Sequence, residues 1–508
     1  MKPTFYITTP IYYVNAKPHI GHSYTSIACD VLARFKRMTG YQVYFLTGTD
    51  EHGQKVAQAA KALNIEPQAL VDKNVLTYQN LWKALNISHD DFIRTTESRH
   101  KEVVQAFFAE LYKKGDIYPD QYEGWYCVPC ETFWQETQIE KGLCPDCGSP
   151  LEKISEKTYL FKMSKYEKPL LEFLEKHPDF VYPHERFNEI MNFVKSGLKD
   201  LSVSRPKSRI GWGITCPFDE EQVIYVWFDA LVNYLSALGY KKHQDLFDRF
   251  WPVDIHMMGK DIIKFHAVIW PTMLLAAEVP LPKKVIAHGW WTVEGQKMSK
   301  SKGNVVDPYA VISIVGIDAY RYFLLREVPF GLDGNFSEAA LHARYQADLA
   351  NNLGNLLNRT LTMLEKYFDG IIPVNGAGKH IDKFEKPAGH LLADIEKKLA
   401  DAAFSQALES IWEIIDLANK YIEEEAPWKL AKTDQDRLAV VLYTLTDVLR
   451  LVAAYLYPFM PGSATKIWEQ LGLSESLSAI NLKDIKLGQI PAGTKVQKGV
   501  PLFPKLMP

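Results

Sequence analysis

Apolar, β-branched and aromatic residues dominate Thr4 to Val14, a strand pattern. At Ser23–Met38 they give way to a helical repeat carrying Ile27, Val31 and Phe35, which Gly40 stops. Tyr41–Thr47 predicts a second strand and Gly48–Gly53 a loop. Strand, helix and strand in this order open a parallel, doubly wound sheet, whose ligands gather at the carboxyl ends of its strands. From about Asp116 to Glu221 the texture changes to cysteines, tryptophans and turn residues, which reads as an insertion. Near Val223 the alternation resumes and runs past Trp290. From about Leu341 the chain turns helical: Ala407, Ile411, Ile414, Ile415, Ala418 and Ile422 make an apolar stripe of helical period, and several such helices predict a bundle. Gly376–Lys386 reads as a loop and the tail after Leu487 as irregular. The expected fold is α/β, a doubly wound parallel sheet interrupted by an insertion and followed by an all-α bundle.

A chain of 508 residues exceeds one compact core. With 47% hydrophobic and 23% charged residues, it has an ordinary globular balance. The net charge of −3 means that any nucleic-acid binding must use local patches. The opening residues lack a signal-peptide pattern. Leu438–Met460 is strongly apolar, but Asp447 and Arg450 interrupt it, which suits a bundle helix better than a membrane span. A cytoplasmic protein without membrane contact is expected.

Four of the six cysteines read Cys127-x2-Cys130-x13-Cys144-x2-Cys147. Four thiolates at this spacing make a closed tetrahedral site for one structural zinc ion, with no coordination position left for water. Gly148 supplies the turn of the second knuckle. A disulfide pair or reduced thiols are the alternatives. Cys29 and Cys216 lie apart and read as packing residues.

Two motifs carry phosphate chemistry. Pro18-His19-Ile20-Gly21-His22 follows the first strand and opens the first helix, where backbone N–H groups and the helix dipole favour anions. Gly21 lets a flat ring or a phosphate approach the backbone. Much later, Lys297-Met298-Ser299-Lys300-Ser301 forms a polar loop after the apolar run Val285–Ala287. Its lysines can close on phosphates and stabilise developing charge. Either motif alone reads as ordinary surface; in this order they form the signature pair of class I aminoacyl-tRNA synthetases, which the chain therefore resembles.

Further stretches narrow the resemblance to the methionyl-tRNA synthetase family: Tyr6–Tyr13, Thr47–Gly53, Tyr225–Ala230 and Phe265–Pro271. The resemblance implies a Rossmann-type catalytic domain in two halves, 1–115 and 223–294. Between them lies a connective insertion with a zinc knuckle, 116–222. The signature-loop and stem-contact region would span 295–345, and the anticodon-binding helical domain 346–508. It implies that Ile11, Tyr13, Trp227, Ala230, Tyr234 and His266 surround the methionine side chain, Tyr234 and His266 donating weak hydrogen bonds to the thioether. Trp227, Ala230, Leu231 and Tyr234 are spaced to share a helical face, and aromatic rings pack well against a thioether; core packing is the plain alternative. Asp50 would pair with the substrate ammonium. Gly259 and Asp261 would contact the nucleoside, although Asp261 also suits a helix cap.

For phosphate binding the resemblance implies His19, Gly21, His22, Lys297, Ser299 and Lys300, with His19, His22, Lys297 and Lys300 acting in catalysis. Asn355, Arg359, Pro427 and Trp428 would read the CAU anticodon, Trp428 by stacking and the two polar residues through base edges. The acidic run Glu423–Glu425 beside them would repel phosphate. The reaction implied is activation of L-methionine by Mg2+-ATP to methionyl-adenylate, then transfer to the terminal adenosine of initiator and elongator tRNA-Met. Many relatives continue past Lys505 into a further tRNA-binding domain that also dimerises them, so a monomer is expected. The competing readings are a class I synthetase for another amino acid, a small-molecule nucleotidyltransferase with its own HxGH motif, and an inactive tRNA-binding protein. The insertion is too short for a large editing domain. Ile11 and Tyr12 stand where a cysteine enzyme places a zinc ligand.

Overall fold

The computed structural model describes residues 2–506 apart from 135, 137–138, 140, 146, 294, 298–304 and 375–381. Its centre is a six-stranded sheet whose pairings are all parallel. The strand β1 (Thr4–Tyr13) is flanked by β2 (Gln42–Asp50), and β2 by β3 (Asp91–Arg94). On its other side β1 pairs with Ile255–Gly259, then come Val285–His288 and Val181–Tyr182. The chain thus winds outward from β1 in one direction and from Ile255–Gly259 in the other. The crevice between the carboxyl ends of those two strands is the switch point where doubly wound sheets bind ligands. The short strand Val181–Tyr182 falls inside the segment expected as an insertion, yet pairs with Val285 and Ile286 of the central sheet.

Local chemistry moves two boundaries. The first helix, α1 (Ile20–Met38), starts earlier than its apolar repeat, because His19 caps it. β2 runs on through Gly48 to Asp50, so those residues form a buried strand rather than the expected loop. A Cβ on Gly48 would lie 2.1 Å from the carbonyl oxygen of Ile93; only glycine lets β3 pass this close.

The insertion builds its own antiparallel sheet, in which Ile117–Cys127 pairs with Glu152–Phe161 and with Thr132–Trp134. The C-terminal run of helices begins at Pro308 rather than Leu341, and residues 382–386, expected as loop, open the helix Asp382–Ala400. The apolar helix Gln435–Leu456 is long enough to cross a membrane by composition, but 94% of its apolar window is buried inside the protein. Its Asp447 and Arg450 pair at 2.7 Å, and the Asp447 carboxylate accepts from the N–H of Ile490, tying the C-terminal tail to the bundle. Arg321 ties α1 to the C-terminal helices. Fully buried, it donates to Asp30 of α1 at 2.7 Å and to the carbonyls of Leu85, Pro458 and Phe459.

Candidate active site

A cleft of about 1570 Å³ opens at the switch point. At one end His19, Gly21 and His22 line it from the first turn of α1. Here two histidines do the work usually given to serine or aspartate. His19 Nδ1 accepts from the Gly21 N–H at 3.1 Å, and His22 Nδ1 accepts from the His19 N–H at 3.0 Å. A backbone N–H can only donate, so both Nδ1 atoms are unprotonated and each ring carries its proton on Nε2. The rings lie 3.9 Å apart. A Cβ on Gly21 would sit 3.0 Å from His19 Cε1, so glycine makes room for the folded-back ring.

Across the crevice, Gly259 and Asp261 line the same cleft with His288 and Trp290. Asp261 caps no helix; it accepts from Trp290 Nε1 at 3.1 Å. Lys260 lies 4.3 Å above the Trp290 ring and pairs with Asp333 at 2.7 Å. His288 is neutral, its pKa pushed down by burial, with a 2.6 Å hydrogen bond to the Thr25 hydroxyl. Of the signature loop, the backbone of Lys297 pairs with Thr292; the Lys297 side chain, Ser299 and Lys300 lie outside the described residues.

The aromatic wall follows. Ile11, Tyr13 and Trp227 line the cleft. Trp227 stacks on Phe265 at 3.6 Å and meets Tyr13 edge-on at 6.2 Å. Ala230, Tyr234, His266 and Asp50 are buried behind this wall. The expected single helix is two, Val226–Leu231 and Asn233–Ser236. Burial pushes His266 down to about 4, so it is neutral. Its Nδ1–H faces the Ile262 carbonyl at 3.0 Å, which leaves Nε2 to accept from the Tyr234 hydroxyl at 2.7 Å. In this conformation Tyr234 and His266 therefore satisfy each other.

Asp50 is the cross-strand neighbour of Tyr13. Burial first, then the charges of Asp229 and Glu131, push its carboxyl well above the usual range. Its Oδ1 is buried and has no partner among the described residues. Asp229 contrasts with it. Burial alone would raise its carboxyl, but His52 and His100, each at 2.7 Å, hold it below the usual range. Sequence reasoning passed over Asp229, His52, His100, His256 and Glu131. Two of them lay inside stretches quoted for the resemblance, but no local spacing links residues 177 positions apart such as His52 and Asp229.

The four cysteine Sγ atoms lie within 4.8 Å of one another, with Cys127 and Cys147 at 3.5 Å. A disulfide needs about 2.05 Å, whereas the Sγ atoms of a tetrahedral zinc site stand about 3.8 Å apart, given Zn–S bonds near 2.3 Å. Gly148, at φ +73°, makes the second knuckle's turn, its N–H donating to the Cys144 carbonyl at 2.8 Å. The donor set fits a metal ion.

A family model described as tRNA synthetases class I (M) matches residues 5–154 and 150–361, and one for the anticodon binding domain of methionyl tRNA ligase matches 375–507. The chain belongs to the methionyl-tRNA synthetases. It is 52% identical over 510 residues to the methionine–tRNA ligase of Caldanaerobacter subterraneus subsp. tengcongensis, covering 100% of this chain and 79% of that protein. The Clostridium acetobutylicum methionine–tRNA ligase is 50% identical, over 99% of this chain and 78% of its own. Among solved structures, Mycobacterium tuberculosis methionyl-tRNA synthetase in complex with methionyl-adenylate superposes with a TM-score of 0.94 at 44% identity, covering 99% of this chain and 100% of that one. The apo form of the Mycobacterium tuberculosis synthetase gives 0.87 at 40%, over 100% and 99%.

As a methionyl-tRNA synthetase the chain needs a surface for the anticodon, and its bundle presents the expected residues together. Arg359 pairs with Glu423 at 2.7 Å and lies 5.9 Å over the ring of Trp428, which is 41% exposed. Asn355 shares the Arg359 face, while Pro427 is buried at the start of its helix. The acidic run is not a bare repulsive patch: Glu423 pairs with Arg359, Glu424 with Lys383, and Glu425 with Arg437.

Proposed function

We propose that the chain activates L-methionine with Mg2+-ATP in this cleft and transfers it to the 3′-terminal adenosine of initiator and elongator tRNA-Met. The observation that carries this reading is the paired-histidine cap facing Gly259 and Asp261 across the switch point, with an aromatic wall and, beside it, a buried carboxylate whose Oδ1 has no partner among the described residues. In the first step the methionine carboxylate attacks the α-phosphorus and pyrophosphate leaves. The Nε2–H groups of His19 and His22 hold phosphate oxygens, joined by Ser299 and by Lys297 and Lys300, which stabilise the charge of the transition state. Gly259 admits the nucleoside and Asp261 accepts from ribose hydroxyls. Asp50 pairs with the ammonium. Ile11, Tyr13, Trp227, Ala230, Tyr234 and His266 enclose the thioether, which requires the Trp227–Phe265 stack to part or shift. In the second step the terminal ribose hydroxyl attacks the adenylate carbonyl and AMP leaves. Orientation supplies much of the rate.

On the bundle, Trp428 stacks on an anticodon base, Asn355 and Arg359 read base edges, and Pro427 fixes the helix start that presents Trp428. The test has two arms. ATP–pyrophosphate exchange should depend on methionine and not on leucine, cysteine or valine; exchange with another of these would sink the pocket assignment. Trp428→Ala should leave that exchange unchanged and raise the KM for tRNA by about 10- to 100-fold, the worth of one stacked base.

Cys127, Cys130, Cys144 and Cys147 would hold one zinc ion, which closes the knuckle without taking part in the reaction. Elemental analysis should find one zinc per chain, lost in Cys144→Ser; metal-free protein with an intact fold would remove this part. The domain division at 116, 223, 295 and 346 is part of the same reading. So is a monomer in the cytoplasm, where ATP and tRNA meet.

A further inference from the structure

We infer that Glu131 is a positioning residue for methionine, through which the cysteine knuckle sets the shape of the amino-acid pocket. This rests on the reading of Tyr13, Asp50 and Trp227 as that pocket. Glu131 follows Cys130 directly and adopts φ +50°, a region that few residues other than glycine occupy. Its side chain is fully buried. A buried carboxylate is retained only where hydrogen bonds compensate its desolvation, and each bond here reaches a different segment of the site.

Oε2 accepts from the Tyr13 hydroxyl at 3.0 Å, at the end of β1. Oε1 accepts from the Lys55 N–H at 3.1 Å, five residues beyond Asp50 at the end of β2. The backbone carbonyl accepts from the Tyr225 hydroxyl, two residues before Trp227. Gly53 is shaped to the same group: at φ +98°, a Cβ there would lie 2.6 Å from Oε1. The Lys55 ammonium sits 4.6 Å above the Tyr13 ring, and Tyr13 in turn meets the edge of Trp227. One carboxylate on the knuckle's own loop thus fixes the Tyr13 wall and the segment that follows Asp50, while the backbone carbonyl of the same residue holds Tyr225 on the approach to Trp227. A hydrogen-bonded network of this kind locks geometry, and a misplacement of about 1 Å at a binding wall can cost about 100-fold.

The experiment is steady-state ATP–pyrophosphate exchange on the full chain, with zinc content measured for every variant. Glu131→Ala should raise the KM for methionine by about 10- to 100-fold, with the KM for ATP and the zinc content unchanged. Glu131→Gln, which keeps one carbonyl acceptor, should recover part of the loss. Tyr13→Phe removes the same hydrogen bond from the other side, so Tyr13→Phe added to Glu131→Ala should cost less than the sum of the two. Trp227→Ala is the reference for the pocket itself. If Trp227→Ala raises the methionine KM and Glu131→Ala does not, the inference falls and the pocket reading stands. If neither does, both fall. Loss of zinc together with a parallel fall of kcat in Glu131→Ala and Glu131→Gln would make Glu131 a part of the knuckle's fold only, and would overturn the inference.

Discussion

Replacing His22 with asparagine is expected to slow methionyl-adenylate formation by about 10²–10³-fold, as for removal of other preorganised donors, while leaving the melting temperature unchanged. The expectation comes from the division of labour between the two ring nitrogens. Nδ1 is occupied as a helix-cap acceptor, taking the His19 N–H at 3.0 Å. That contact fixes the tautomer and puts the ring proton on Nε2, on a side chain that lines the cleft at the positive end of α1, where a developing phosphate charge is favoured. Asparagine places its Oδ1 close to the position of Nδ1 and keeps the cap, but nothing replaces the distal N–H. Alanine removes both functions, so His22→Ala should show the same loss of exchange and in addition lose about 1 kcal/mol of stability, the usual worth of a cap. Exchange rates and thermal unfolding of the two variants separate the roles. If His22→Asn lost only a few-fold in rate, the histidines would be structural caps and phosphate binding would have to reside elsewhere.

The same residues show where sequence reading reached and where it stopped. The switch-point crevice was legible, because two motifs and a strand–helix–strand start place it by topology. The cysteine site was legible because its ligands are close in sequence. The start of α1 was placed three residues late, since its apolar repeat shows only from Ser23 on and the cap at His19 leaves no periodic signal. Gly48 and Asp50 are turn formers by habit and drew Thr49 between them into the expected loop. Their parallel neighbours make them strand: β1, which pairs with all three, and β3, which Gly48 admits. Val181–Tyr182 is too short to show a period, so its place in the central sheet was invisible. The supporting polar groups were the least legible. Glu131 reaches Tyr13 across 118 positions, and Asp229 reaches His100 across 129. Such partners are set by the tertiary fold, and the one available hint was that acidic residues flanked by aromatics and cysteines seldom face an apolar interior without a reason.

Asp50→Asn is expected to do two opposite things: abolish most methionine activation and stabilise the protein without ligand. Asp50 ends a buried strand with one carboxylate oxygen unpartnered among the described residues and with Asp229 and Glu131 as acidic neighbours. Its pKa is raised, so the folded chain holds the proton more tightly than the unfolded chain does. The associated stability is therefore present below the unfolded value near 3.9 and is lost as pH rises through the folded value. At neutral pH ionising this buried carboxyl carries a cost that the substrate ammonium offsets. Asparagine removes the cost and the attraction together. Removing one member of a buried ion pair costs about 3–5 kcal/mol, so kcat/KM for methionine should fall by at least about 10²-fold, with the KM for ATP little changed. Thermal unfolding should show a higher melting temperature for Asp50→Asn than for the parent at pH 7, a difference that shrinks toward pH 4. Methionine should raise the melting temperature of the parent and not of the variant. A variant of lower stability with normal methionine kinetics would mean that Asp50 has a partner within the fold and that the ammonium binds elsewhere.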